Sequence, residues 1–193
     1  MSGYHHGNLR AALIDTAVEQ ARAGGAAAVV LRDAARRTGV SHNAAYRHFA
    51  DRDQLVAEVA VRGMHELEEA MRARMADVPA GEEPGVRALL RLRETGRAYV
   101  QFALAEPGLF TTACAAKGAP EREGPYGILA EALDGLVETG VLPAERRPGA
   151  ELACWAAVHG FAMLVLEGPL RALPEAERER ELDGLLDRVA RGL

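Results

Sequence analysis

Cysteine is scarce in this chain of 193 residues: Cys114 and Cys154 are the only two, and neither sits in a C-x-x-C or Cys/His spacing. That removes a disulfide framework and a zinc site, and isolated cysteines in apolar helical stretches read as inert packing. Catalytic constellations are missing too. No nucleophile–base–orienter set, phosphate-cradling loop or carboxylate cluster can be assembled, so no catalytic residue, metal or cofactor is expected and the chain does not read as an enzyme. Long hydrophobic runs are also lacking. The longest charge-free stretch, Leu152 to Leu166, is fifteen residues, short of the roughly 20 that a membrane-spanning helix needs, so it reads as a buried helix and no membrane is expected as a partner. No apolar segment follows a charged start at the N-terminus, and the expected location is a reducing cytoplasm. No segment carries a strand signal.

Positive charge is in short supply overall, with 23 basic residues against 28 acidic ones and a net charge of −5. The supply is uneven. Residues 1–52 hold seven Arg against four acids, a surplus of +3, and residues 53–193 hold sixteen basic against twenty-four acidic residues, a deficit of −8. Such asymmetry suggests a small module that meets phosphate, attached to a larger acidic body that does not. What the chain does have is 49% apolar and 26% charged residues, enough for one large core or a small and a medium domain. Domains are expected at 1–52 and 53–193.

Helical periodicity runs through both. Leu9, Leu13, Ile14, Ala17, Val18 and Ala21 recur at helical spacing until Gly24-Gly25 stops them, and a long pattern from about Arg52 to Ala76 carries Val59, Met64, Leu67, Met71 and Met75. Val78 to Gly85 reads as a boundary loop. Further helices are expected over Val86–Ala105, Pro107–Ala116, Tyr126–Glu138, Pro148–Glu167 and Pro174–Ala190, with a loop over Lys117–Pro125. The helix ending at Glu167 is apolar all round, which in a globular chain means burial on every side, and the last one carries Leu182, Leu185, Leu186 and Val189 on a narrow stripe. Together these two suggest a homodimer interface.

The most informative segment is Val30 to Phe49, two short helices joined at Thr38-Gly39-Val40. Leu31, Ala34 and Ala35 can face inward and leave Arg32, Arg36 and Arg37 toward solvent or phosphate. Gly39 suits a turn that needs positive φ, Val40 plugs the core, and Ser41 is a good N-cap. In the second helix His42, Asn43, Tyr46 and Arg47 share one exposed face while Ala45 and Phe49 share the buried one. Asn can pair with adenine, Arg with guanine or phosphate, Tyr and His with phosphate, and the Ala44 methyl with thymine. Any helical hairpin with a glycine turn has this outline; the charge surplus, the polar face and a dimerising body favour DNA, because two-fold proteins read half-sites about one DNA turn apart.

Gly39 to Phe49 followed by Asp51-Arg52-Asp53-Gln54-Leu55 resembles the recognition helix and fourth-helix start of the TetR-type transcriptional regulators. Tyr4-His5-His6-Gly7-Asn8-Leu9-Arg10 is similar to the opening of the subgroup with a WHG-type C-terminal domain. Trp155-Ala156-Ala157-Val158-His159-Gly160 resembles that domain's naming motif, and Tyr99 to Ala103 and Pro107 to Phe110 resemble its upstream segments. The resemblance implies an all-α fold: an N-terminal three-helix helix–turn–helix domain, a long fourth helix, and a C-terminal helical ligand-binding and dimerisation domain. It implies double-stranded operator DNA and a small-molecule effector as partners. By position it implies that Ser41, His42, Asn43, Ala44, Tyr46, Arg47 and His48 line the DNA side, with Arg32 and Arg52 near phosphates.

Ligand contacts are expected among Phe102, Phe110, Trp155, His159 and Met163, residues that would equally serve as core. His5 and His6 lack a third metal ligand and read as a flexible arm near the DNA backbone. Two other classes compete: an enzyme using His159 with Glu151, Glu167 or Cys154, and a helical interaction protein without DNA.

Overall fold

The computed structural model describes residues 6–115 and 123–193, with the side chains of residues 6–8 set aside. The expected loop over Lys117–Pro125 lies largely outside the described residues, as does most of the Tyr4 to Arg10 opening. Every long element is an α-helix: α1 His6–Ala28, α2 Leu31–Arg37, α3 His42–Tyr46, α4 Arg52–Ala76, α5 Pro84–Ala105, α6 Pro107–Cys114, α7 Gly124–Glu138, α8 Ala150–Leu166 and α9 Glu175–Gly192. Short 3₁₀ turns at Ala144–Arg146 and Pro169–Ala172 flank α8. Helical geometry in α1 breaks at Gly24–Gly25, where the periodic pattern also stops, and a last short helical piece runs on to Ala28.

Two compact units emerge. The head comprises residues 6–64 and 106–115, and the body residues 65–105 and 123–193. The expected boundary at 52/53 is therefore moved. The first half of α4 sends Leu55, Val59 and Ala60 into the head core beside Leu13, Ala17, Ala21 and Phe49, and each large side chain so buried stabilises by about 1.5–3 kcal/mol. The helix α6 joins the head because it packs along α1. At Gly108 the two backbones meet: a Cβ there would overlap the carbonyl oxygen of Ala21 and come within 2.9 Å of that of Arg22. Arg22 adds an ion pair to Glu106 at 2.6 Å.

In the body, α5 is the central helix, packed against α7, α8 and α9. Its buried residues Leu92, Thr95, Ala98, Tyr99 and Ala103 oppose Leu129 and Leu133 of α7 and Cys154, Val158 and Val165 of α8. The expectation that α8 is buried on every side does not hold within one chain. Leu152 is 69% and Leu164 44% exposed, and Ala153 and Ala156 are exposed or half-buried beside them. On α9, Leu182 and Leu186 are buried, whereas Leu185 and Val189 remain half-buried.

Candidate nucleic-acid interface and body cavity

The short helix α3 is built by its ends. Ser41 takes an extended conformation and its Oγ accepts the Ala44 backbone N–H at 3.2 Å, satisfying one orphan donor of the first turn. Gly39 has φ +72°, a left-handed conformation that only glycine adopts without penalty, and this reverses the chain between α2 and α3. Ala45 is fully buried and Phe49 nearly so, while Val40 is half-buried rather than a core plug. Small Ala34, Ala35 and Ala45 at the crossing let the helices approach closely.

That seating turns Ser41, Asn43, Tyr46 and Arg47 outward and leaves His42, Ala44 and His48 half-buried. Tyr46 is 45% exposed, and its ring meets that of His42 edge-on with centroids 4.4 Å apart. The pair therefore forms one aromatic step on the outer face, and His42 Nδ1 has no hydrogen-bond partner among the described residues.

Ion pairing sorts the arginines of the head. Arg10 reaches Glu58 at 2.5 Å, Arg62 reaches Asp15 at 2.8 Å, Arg22 holds Glu106 and Arg36 holds Asp33. Arg52 is occupied as well: its Nε donates to the carbonyl of Val29 at 2.9 Å, a second nitrogen to that of Ala26, and a third lies 3.3 Å from Asp53. It thus clamps the open carbonyls between α1 and α2 while its side chain stays 45% exposed. Arg32, Arg37 and Arg47 are exposed and make no ion pair among the described residues. Over residues 6–64 and 106–115, eight arginines face seven carboxylates, a surplus of only +1. The placement of unpaired cations matters more than the total.

Sequence reading passed over Gln20, a buried polar residue on α1. Its Nε2 donates to Asp33 Oδ2 at 2.9 Å, and its Oε1 accepts the Val30 N–H at 3.1 Å, so one side chain pins α1 to the start of α2. Hydrogen bonds from Arg36 and then from Gln20 hold the Asp33 carboxyl below its usual range. The only signal was an amide on the inner side of a helical stripe. A capping box starts α4: Asp51 Oδ1 accepts the Gln54 N–H at 2.8 Å, and Gln54 Oε1 accepts the Ala50 N–H at 2.9 Å.

The body contains a narrow cavity of about 30 Å³, room for one or two waters. Met71 of α4, Leu92 and Tyr99 of α5, Leu129 of α7, Trp155 of α8 and Leu186 of α9 are among its walls. Of the expected ligand residues, Trp155 lines it directly. His159 stands one contact behind, its Nδ1 paired with the Tyr99 hydroxyl at 2.9 Å. The Tyr99 and Trp155 rings meet at 5.1 Å and Tyr126 approaches Trp155 at 5.7 Å. Phe102 and Met163 are half-buried away from this wall, and Phe110 is fully buried in the head core. Those three expectations are corrected: aromatic or flexible side chains on an inner helix face supply core as readily as pocket.

Behind the cavity lies a charged belt. Arg93 pairs with Asp183 and Asp187, Arg97 with Glu94, Glu179 and Asp183, and Arg74 with Glu94. Burial works against the charge on Arg97, but Asp183 and Glu94 raise its pKa above the ordinary arginine value. Cys154 shares the cavity wall, and burial, with Glu151 adding and Arg147 opposing, pushes its thiol up to about 11.

A capped, outward-facing helix on a small helical head, carried with a helical body, defines the class of helix–turn–helix transcription regulators. Comparison with known proteins agrees. Residues 13–59 match the family described as bacterial regulatory proteins, tetR family, and residues 92–189 match the tetracyclin repressor-like C-terminal domain. The chain belongs to the TetR family, and is a DNA-binding transcriptional regulator rather than an enzyme.

A protein of unknown function from a Rhodococcus species is similar over 100% of this chain and 99% of its own, at 27% identity and a TM-score of 0.75. PfmR, a TetR family regulator from Thermus thermophilus, is 20% identical over 94% of this chain and 98% of its own, with a TM-score of 0.62. A TetR variant from Acinetobacter baumannii in complex with minocycline is 18% identical over 93% of both chains, with a TM-score of 0.63. The last two show likeness of fold alone. No curated protein matches the chain. Among the described residues no helix is long and apolar enough to cross a membrane.

Proposed function

We propose that this regulator binds a palindromic operator as a homodimer, acts as a repressor, and is released by a small molecule bound in the body. The observation that carries the DNA part is that Arg32 and Arg37 of α2 and Arg47 at the end of α3 are exposed and make no ion pair among the described residues, while Ser41, Asn43 and Tyr46 of the same hairpin face outward. His42, Ala44 and His48 complete the face. Base edges are read by Asn43, Arg47 and the Ala44 methyl, while Arg32, Tyr46 and the histidines hold phosphate.

Dimerisation is supported by the uncovered apolar side of α8. Two copies meeting through α8 and α9 would cover Leu152, Ala156, Leu164, Leu185 and Val189, and exposed large apolar groups in one row mark an interaction face. Release rests on α4, a single helix whose Leu55 and Val59 belong to the head core and whose Met71 lines the cavity. A ligand that displaces Met71 acts on the helix that carries the head, and it releases DNA if it binds the displaced state better. The minocycline complex of the Acinetobacter relative is a precedent for a small molecule bound by this fold. The Trp155, His159 and Gly160 set supports the WHG-type reading of the body.

Selection of bound duplexes from a random pool tests the DNA part. An inverted repeat with half-sites about one helical turn apart is expected; an unrepeated site, or no enrichment, would refute the paired reader.

A further inference from the structure

We infer that the effector cavity selects uncharged, largely apolar aromatic molecules and rejects anions, because the one cation on its wall, Arg93, is already neutralised from behind by Asp183 and Asp187. The inference rests on the proposal that this cavity is the effector site, opened beyond its one or two waters by displacement of Met71, and it adds the ligand's chemical class.

The wall is mostly Met71, Leu92, Leu129, Val158 and Leu186 with the rings of Tyr99 and Trp155. Among the described residues, every hydroxyl and every charged side chain on it is committed elsewhere. The Thr95 hydroxyl donates to the Arg91 carbonyl at 2.8 Å, the Tyr99 hydroxyl pairs with His159 Nδ1 at 2.9 Å, and Arg93 pairs with Asp183 at 3.3 Å and with Asp187. An entering molecule therefore meets no uncommitted hydroxyl and no uncompensated charge. A carboxylate or sulfonate would lose its hydration with only the neutral Trp155 indole N–H to replace it, which is the costly form of burial.

Arg93 could serve an anion only by leaving its two acids. The surrounding belt opposes that exchange: Arg74, Arg93 and Arg97 face Glu94, Glu179, Asp183 and Asp187, three cations against four carboxylates. Arg97 is already shared among three of those acids and cannot take over Asp187 as well. A cation is disfavoured for a different reason. The side chains of Asp183 and Asp187 are 49% and 40% exposed, whereas that of Arg93 is 25% exposed and stands on the cavity wall, so an incoming cation meets the guanidinium before it meets the acids. The aromatic cluster of Tyr99, Trp155 and Tyr126 favours a flat ring by edge and face contact.

Two dyes that differ by one sulfonate test this: neutral N-phenyl-1-naphthylamine and anionic 8-anilinonaphthalene-1-sulfonate. Trp155 is the sole tryptophan, so energy transfer from it localises binding. Saturable transfer to the neutral dye is expected with at least tenfold tighter binding than to the sulfonate. Asp187→Asn, which leaves Arg93 partly uncompensated, should narrow that ratio by tightening the sulfonate. Val158→Phe, with its fold checked by circular dichroism, should weaken the neutral dye by filling the cavity.

Equal or tighter binding of the sulfonate by the unmodified protein overturns the inference, as does absence of saturable transfer to the neutral dye or indifference of a folded Val158→Phe protein. Operator release measured alongside separates the two levels. Neutral preference with the operator still bound at saturation keeps the ligand class and refutes the regulatory reading. Sulfonate preference with the operator released keeps the regulatory reading and refutes the class.

Discussion

The head and the body use charge in opposite ways. In the head, arginines are either tied down, as Arg10, Arg22, Arg36, Arg52 and Arg62 are, or left open around α3, as Arg32, Arg37 and Arg47 are. In the body, the arginines behind the cavity are saturated by acids, and the space they border is apolar. The difference teaches that total charge says little about what a surface recognises. The head has nearly balanced charge yet leaves Arg32, Arg37 and Arg47 unpaired on its helical hairpin.

The sharpest way to break the comparison is to unseat the head without touching its outer face. Gly108→Ala would drive a methyl into the Ala21 carbonyl; overpacking of this kind costs about 3 kcal/mol, and a lower thermal midpoint with impaired operator binding is expected. Retention of the wild-type midpoint would show that α6 can slide along α1. Gln20→Leu leaves the Val30 N–H without its partner and removes a hydrogen bond from Asp33, for a loss of about 2 kcal/mol, read by chemical denaturation.

Arg47→Ala and Tyr46→Ala touch only the outer face. Each should weaken operator binding by about 1–3 kcal/mol, roughly ten- to a hundredfold, with the dimer unchanged in sedimentation. Full affinity in both would remove α3 from the interface.

Much of this division was legible beforehand. The Gly39 turn, the Ser41 cap and the outer face of α3 follow from residue types whose preferences are local, and α4 spans Arg52–Ala76 as its periodicity indicates. The boundary between the units was not legible, because it depends on which remote segment covers α1, and nothing in Pro107 to Cys114 announces that α6 does so. The clamp made by Arg52 and the bridge made by Gln20 were missed for a related reason. A long polar side chain can reach water, phosphate or a buried carbonyl from the same helical position, and only its three-dimensional neighbours decide. In the body, Trp155 is large, lies on an apolar helix and stands on the cavity wall, whereas Phe110 has the same character and fills the head core instead.

Two smaller effects concern protons. Cys154, with its pKa raised to about 11 from 9.0, holds about a hundredfold less thiolate at pH 8 than a free thiol would. Alkylation of the native protein at that site should be slower by at least that factor, and a fast reaction would show the cavity wall to be open. Because the folded pKa is the higher one, the associated stability is present below about 9 and is lost as pH climbs toward 11. Asp33 behaves in the opposite sense. Its lowered pKa stabilises the head above the ordinary carboxylate range and ceases to do so as pH falls through the lowered value. Asp33→Asn should flatten that acid limb of the stability curve.

The clamp formed by Arg52 also governs how the complex answers to its medium. Each phosphate met by a free cation sheds condensed counterions, and log affinity falls with log salt by about 0.9 per contact. With Arg52 held by the Ala26 and Val29 carbonyls, Arg32 and Arg37 on each of the two proposed heads would give a slope of about −4. Were Arg52 to let go of those carbonyls, the slope would steepen by about two. A guanidinium held by backbone oxygens would therefore make operator occupancy more tolerant of a rise in ionic strength.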